Sequence, residues 1–197
     1  MEDRGFGTEK IEDELQAIFP EARIARMDLD TTRRKLAYEK MIAQFEQHQL
    51  DILVGTQMVA KGLDFDNVGL VGILNADAML NYPDFRAFER SFQMMSQVSG
   101  RAGRKNKKGR VLIQTYTPEH PVIKWVVAND YKAMYHNQIE ERKTYVYPPF
   151  YRLINISLKH KDKAVVNRAA DYFAKSLRKI FGIRVFGPHE PIINRIK

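Results

Sequence analysis

Between Glu9 and Phe19, apolar residues at Ile11, Leu15, Ile18 and Phe19 recur at helical spacing, with Thr8 placed to cap the first turn and Pro20 to stop the last. Ala22 to Met27 is short and β-like. Asp28-Leu29-Asp30-Thr31-Thr32 supplies turn and capping chemistry before a second helix over 33–47, with Leu36, Met41 and Phe45 among its buried positions. Asp51-Ile52-Leu53-Val54-Gly55 is a compact apolar run ending in glycine, the pattern of a parallel strand buried on both faces, and Val68 to Leu74 repeats it. Helix-length segments lie between these runs and again over Phe85 to Val98, where Phe85, Phe88, Phe92, Met95 and Val98 share one side. Arg110 to Thr115 closes the series as a further strand. This alternation predicts an α/β fold, an open parallel sheet flanked by helices, with ligands at the carboxyl ends of its strands.

The pattern breaks at Thr117-Pro118. Residues from Pro121 to Arg142 have helical spacing, and Tyr145-Val146-Tyr147-Pro148-Pro149-Phe150 is stiff and aromatic, unable to stay helical through its prolines. Beyond this boundary, Arg152 to Lys159 alternates like a half-buried strand. Asp162 to Phe181 forms an amphipathic helix, and Ile183 to Phe186 is the next strand. Three segments are therefore expected: an α/β domain over 1–117, a helical and Pro-rich connector over 118–150, and a smaller α+β domain over 151–197. That last domain stops on Pro191 to Lys197, apolar and basic without a stop signal, so it is expected to be incomplete. Gly5-Phe6-Gly7-Thr8-Glu9 leads into a helix with no preceding strand, as in an excised fragment.

The 197 residues suffice for one ordinary domain plus a smaller one. A formal charge of +8 favours a polyanionic partner, although a merely soluble basic surface explains it equally well. There is no cysteine, so neither a disulfide framework nor a thiolate zinc site can form in these residues. No apolar run approaches the roughly 20 residues of a bilayer span, and the acidic start is no signal peptide. A soluble, cytoplasmic protein without membrane contacts is expected.

Gln97-Val98-Ser99-Gly100-Arg101-Ala102-Gly103-Arg104 falls where the Phe-rich helix runs out. Arg101 and Arg104, separated by a glycine that allows a sharp turn, can point into one pocket, and guanidinium forks suit phosphoryl oxygens. The alternative is an Arg-rich loop holding surface carboxylates or nucleic-acid phosphates. Thr56-Gln57-Met58-Val59-Ala60-Lys61-Gly62-Leu63-Asp64 directly follows a strand. Thr56 could hold a phosphate, Gly62 permits close approach, and Asp64 could accept from a ribose hydroxyl. Taken alone, an ordinary strand-to-helix turn with a capping aspartate explains it better. The basic turn Lys105, Lys107, Lys108 and Arg110 could track DNA phosphates or simply be solvated. Tyr145, Tyr147, Phe150 and Tyr151 could stack bases, with interdomain packing favoured. Trp125 and Tyr131 read as packed helix positions, Asp77 could line a cleft, and the five histidines have no metal-site spacing.

Together, Thr56 to Asp64 and Gln97 to Arg104 resemble motifs V and VI of superfamily 2 helicases. Those motifs lie in the second of two RecA-like lobes. With Gly5-Phe6-Gly7-Thr8-Glu9, Arg26-Met27-Asp28-Leu29-Asp30-Thr31, Pro148-Pro149-Phe150 and Gly187-Pro188, the chain resembles the primosomal protein N-prime (PriA) family of replication-restart DNA helicases over nearly its whole length. The resemblance implies that 1–117 is the second helicase lobe and 151–197 part of the family's C-terminal domain. It assigns Arg101 and Arg104 to the ATP γ-phosphate, Arg104 as arginine finger with Gln97 beside it. Lys61, Gly62 and Asp64 are expected at the nucleotide, and Thr56, Gln57, Lys105, Lys107 and Lys108 at the DNA backbone.

The implied activity is 3′ to 5′ DNA unwinding driven by ATP hydrolysis, in replication restart and primosome assembly at stalled forks. The implied partners are forked and single-stranded DNA, a single-strand DNA-binding protein, primosome proteins and the first lobe of the same parent chain, in a monomer. No G-x-x-x-x-G-K-[ST] segment occurs, Pro188 standing where Gly182 and Gly187 would need a lysine to follow, and no Asp-Glu pair follows an apolar strand. ATP and Mg²⁺ are thus expected mainly on the first lobe, and these residues alone should not hydrolyse ATP. The resemblance places the family's zinc in a cysteine-rich segment just before Gly5 and a DNA 3′-end-binding domain earlier still, and these residues contain neither. The competing possibilities are a nucleotide-independent nucleic-acid-binding or protein-docking module, and an α/β nucleotide-binding domain of another class.

Overall fold

In a computed structural model, the chain is described over residues 7–28, 35–56, 68–103 and 109–190, with residues 35–37 as backbone only. Helix α1 (Thr8–Ile18) has Gly7, not Thr8, at its N-cap, without a side-chain capping bond. The expected cap is occupied elsewhere: the Thr8 hydroxyl donates to Asp28 Oδ2 at 2.9 Å, twenty positions away. Strand β1 (Ile24–Met27), helix α2 (Lys35–Glu46) and strand β2 (Ile52–Gly55) form a right-sized crossover, with β1 and β2 parallel in the register Met27↔Gly55. Met27 is fully buried among Tyr38, Met41, Ile42, Phe45, Leu53 and Val68. Leu36, expected among the buried positions of this helix, lies outside the described side chains.

The amino end of this pair is stapled by Arg23, whose Nε and Nη2 donate to the two carboxylate oxygens of Asp51 at 2.8 and 2.7 Å. Nη2 also reaches the His48 carbonyl at 2.7 Å, and the Arg23 guanidinium holds the Asp51 carboxyl well below the usual carboxylate range.

A second parallel pair, β3 (Leu70–Ile73) with β4 (Arg110–Ile113), runs in the register Ile73↔Ile113. Among the described residues the parallel strands expected from the pattern form two parallel pairs. Local hydropathy specifies where strands form but not which strand lies beside which. The second pair carries α3 (Ala76–Leu80) and α4 (Ala87–Ser99), and Val71, Ile73, Val111 and Ile113 pack with Leu80, Phe92 and Met95. The opposite face leaves Leu70 and Leu112 more than half exposed, so the burial on both faces expected of the Val68 to Leu74 run is not met.

The helical stretch from Pro121 is two helices, α5 (Pro121–Ala128) and α6 (Tyr131–Thr144). Asn129 takes the left-handed conformation at φ 51°, and the Asp130 carboxylate accepts from Ala133 N at 2.9 Å to start α6. Val122, Ile123, Val126 and Met134 complete the core around Phe92 and Met95. The segment expected as a connector therefore contributes two helices to this core.

The chain divides into two compact units between Phe150 and Tyr151. The second holds α7 (Lys163–Phe181), which Asp162 caps by accepting from Ala164 N at 2.7 Å, followed by a 3-10 turn at Gly182–Arg184. The strands expected over 152–159 and 183–186 are not formed among the described residues. Alternating apolar residues define a face, but a strand also needs a neighbour to take its backbone hydrogen bonds. Leu153, Ile154 and Ile156 are exposed instead.

Candidate functional site

Helix α4 delivers the most informative of the expected residues. Its apolar stripe buries Phe92 and Met95, which leaves Gln97 exposed near its end. Gly100 N bonds Ser96 O at 3.0 Å, then Arg101 N and Ala102 N bond back to Val98 O and Ser99 O at 3.0 and 3.1 Å, so the chain coils out of the helix in a tight turn. Arg101 sits half-buried in that turn with its Nε shielded from solvent. Gly103 then adopts φ 77°, a conformation that L side chains disfavour, and donates to Val68 O at 3.0 Å.

The other leg of the loop returns at Gly109, and Arg110 N donates to Gly69 O at 2.9 Å. A methyl group on Gly109 would lie 2.3 Å from Gly103 N, so the two legs touch backbone to backbone. The arginine turn is therefore pinned at the amino ends of β3 and β4. The expectation that ligand contacts sit at carboxyl ends does not extend to this part of the site, because α4 runs back across the sheet before the turn begins.

Thr56 does follow a carboxyl end, that of β2, and is exposed. The residue after β1 at the same level is Asp28, largely buried, accepting from the Thr8 hydroxyl and 3.3 Å from Arg26 Nη1. Arg26 also lies 3.2 Å from Glu12 Oε2. Val68 links this end to the arginine turn: its side chain packs on Met27, the last residue of β1, while its carbonyl holds Gly103. The guanidinium of Arg101 and the hydroxyl of Thr56 are donor types suited to phosphate oxygens.

Lys61, Gly62 and Asp64, with Gln57, Arg104, Lys105, Lys107 and Lys108, lie outside the described residues. Asp77 is committed to hydrogen bonds within the fold. Its carboxylate accepts from Thr115 Oγ1, Tyr116 N and Thr117 Oγ1 at 3.0, 2.9 and 3.0 Å, tying α3 to the segment after β4. Burial pushes its carboxyl up, but these three donors outweigh it and hold the group below its ordinary range. Tyr147 stacks on Phe85 at 4.9 Å between ring centroids, while Tyr145, Phe150 and Tyr151 are exposed. Trp125 packs against the core, and Tyr131 is exposed beside Phe92 and Tyr135. Among the described residues no group of three or more His, Asp or Glu could hold a metal ion, and no helix is long and apolar enough to cross a membrane.

Two groupings that the fold makes were not expected from the sequence. One is the Thr8, Arg26 and Asp28 cluster, whose signal is the acidic residue that directly follows β1. The other is the contact of Arg142 with Glu89 and Phe85, for which a pattern separated by about fifty positions offers no local signal.

The profile of the helicase conserved C-terminal domain matches residues 7–106, from the start of α1 through the arginine turn. The chain belongs to that family. Short parallel strands flanked by helices are the architecture of its RecA-like lobe. At the sequence level the chain is 46% identical over 195 residues to the replication restart protein PriA of Bacillus subtilis, covering 98% of this chain and 24% of that relative. It is 50% identical over 151 residues to replication restart protein PriA of Chlamydia pneumoniae, covering 77% of this chain and 20% of the relative. The Synechocystis protein of the same name is 40% identical over 194 residues, covering 98% and 23%. The chain spans about a quarter of the length of the relatives it matches. Within the helicase domain, Thr56, Gln97 and Arg101 all fall inside the matched span, whereas Lys107 and Lys108 lie beyond it.

Proposed function

We propose that this chain supplies the second helicase lobe, and the segment that follows it, of an ATP-dependent 3′ to 5′ DNA helicase acting in replication restart. The observation that carries this is the arginine turn. Arg101 is held half-buried at the end of a packed helix, in a loop whose two legs are fixed to β3 and β4. A cation fixed before its anion arrives can stabilise charge on a transferring phosphoryl group without reorganising, the condition under which such arginines contribute about three to five orders of magnitude in rate. Gln97 leaves the same end of α4.

In this function Arg101 and Arg104 meet the γ-phosphate of ATP, with Arg104 as the finger, and Lys61, Gly62 and Asp64 line the nucleotide. Thr56 and Gln57 couple the nucleotide to the DNA backbone, which Lys105, Lys107 and Lys108 help to track. The described donors fit phosphate better than a divalent cation, so Mg²⁺ and the phosphate cradle fall to a first lobe of the same parent protein. These residues alone do not turn ATP over. The DNA partners are forked and single-stranded, the protein partners a single-strand DNA-binding protein and primosome proteins, and the setting is cytoplasmic.

The test uses the full-length protein. Arg101→Ala and Arg104→Ala should each reduce DNA-stimulated ATP hydrolysis by about a thousandfold, within the range for such fingers. Substrates with a single 3′ or 5′ tail should separate the direction of unwinding. Hydrolysis within a few-fold of wild type in both variants would refute the role and favour a module whose arginines grip phosphodiesters without nucleotide.

A further inference from the structure

Helix α4 is held at both ends, and its far end is held in an unusual way. The Arg142 guanidinium, near the close of α6, is mostly buried and pairs through Nη2 with Glu89 in the first turn of α4. It also stands 5.3 Å from the centre of the Phe85 ring, just before α4 begins. The same ring is stacked by Tyr147 at 4.9 Å and approached by Arg86 at 5.1 Å. Tyr147 N in turn donates to Arg142 O at 2.8 Å, and Arg142 Nη1 reaches Pro148 O at 3.5 Å. One side chain thus ties the start of α4, the end of α6 and the segment leading out of the first unit.

Such a device is a poor choice for stability alone. Burying an ion pair removes two charges from water, and an apolar packing of similar volume is as stable or more so. What the pair and the ring contact supply is direction, because a planar guanidinium can meet a carboxylate at its edge and an aromatic ring at its face together, which lysine cannot. The middle of α4 is seated on Ser91, Phe92 and Met95, and its other end emerges as Arg101.

Resting on the function proposed for the arginine turn, we propose that Arg142 is a positioning residue for Arg101, acting through α4 as a rigid lever. Glu89 and Ser99, the last helical residue, are separated by roughly 15 Å of helix at ~1.5 Å per residue, so a tilt of about 4° at the clamp moves that end by about 1 Å. Misplacement on that scale can cost about a hundredfold in rate.

The experiment measures kcat and KM for DNA-stimulated ATP hydrolysis by the full-length protein carrying Arg142→Met, Arg142→Lys, Glu89→Gln, Arg101→Lys or Arg142→Met with Arg101→Lys. Thermal melting is followed alongside. Arg142→Met should lower kcat about tenfold or more with KM for ATP within about twofold, and Arg142→Lys should not restore it. In the double variant the losses should be non-additive, because both act through one guanidinium. Additive losses, or restoration by lysine, would overturn the inference. If Arg142→Met fails to fold, Glu89→Gln reads the same clamp, and an unchanged kcat in Glu89→Gln would likewise overturn it. An unchanged kcat in Arg101→Lys, with Arg101→Ala and Arg104→Ala both within a few-fold of wild type, refutes the function of the turn itself. An unchanged Arg142→Met beside an impaired Arg101→Lys refutes only the lever.

Discussion

A methyl group at Gly109 has nowhere to go. Its carbon would lie 2.3 Å from Gly103 N, 2.5 Å from Ala102 C and 2.8 Å from Ala102 Cβ. The two nearest atoms are backbone, so no side-chain rotation relieves the clash and one leg of the arginine loop must move by about 1 Å. Overpacking of this kind costs about 1–3 kcal/mol. Movement of that size also breaks or stretches the bond from Gly103 N to Val68 O, now 3.0 Å, at about 0.5–1.5 kcal/mol. Gly109→Ala is therefore expected to destabilise the protein by about 2–4 kcal/mol, while Gly72→Ala, with nothing within 4 Å and no positive φ, should change it by less than about 0.5 kcal/mol. Urea unfolding can be followed through Trp125, the one tryptophan of the chain, which packs on the core beside α4. With a denaturant slope of about 2 kcal/mol/M, the Gly109→Ala midpoint should fall by about 1–2 M. Equal midpoints for Gly109→Ala and Gly72→Ala would refute the pinched loop.

Met95 is fully buried between the second strand pair and α5, so Met95→Ala should cost about 2–5 kcal/mol, read as a loss of unfolding midpoint. The Asp77 carboxyl is depressed in the folded state, so its stabilisation is present above the ordinary carboxylate range and lost as pH falls through that range toward the folded value. Acid unfolding curves of wild type and Asp77→Asn should converge there, and parallel curves would contradict the assignment. Burial holds His120 below its ordinary value, with Asp77 pulling it partly back, and its neutral Nδ1 accepts from Val122 N at 3.2 Å to cap α5. Stability from this cap is present above the ordinary histidine range and lost as pH falls through it. His120→Asn, which keeps an acceptor, should flatten the stability profile between about pH 7 and 5.

Elements with a strong period were legible from the chain: α1, α4, the strand cores and α7 follow hydrophobic spacing, and the capping signal at Asn129-Asp130 was present in the residues although the stretch reads as one helix. What was not legible depended on partners far away. Thr8 has the side chain of a cap, yet Asp28 takes its hydroxyl. Leu70 lies in a run with the pattern of a strand buried on both faces, yet it and Leu112 beside it leave one face of their pair open among the described residues. Arg152 to Lys159 alternates correctly and pairs with nothing described. Of the candidate site, the arginine motif was readable because its glycines and arginines are adjacent in sequence, while its anchorage through Val68 and Gly109 was not, since hydrogen bonds across a sheet leave no local trace.

The two ends of the β3–β4 pair are closed in different ways, and the difference bears on function. At the carboxyl end, Asp77 gathers three donors and Asn75 caps α3, so these polar groups are committed to the fold. At the amino end, backbone contacts at Val68, Gly69, Gly103 and Gly109 fasten the two described legs of the loop. Glycine is the residue that makes such fastening possible, by admitting φ 77° at Gly103 and close approach at Gly109. Gly103 inside the arginine motif and Gly109 outside the family's matched span thus have two distinct duties in holding the turn that carries Arg101.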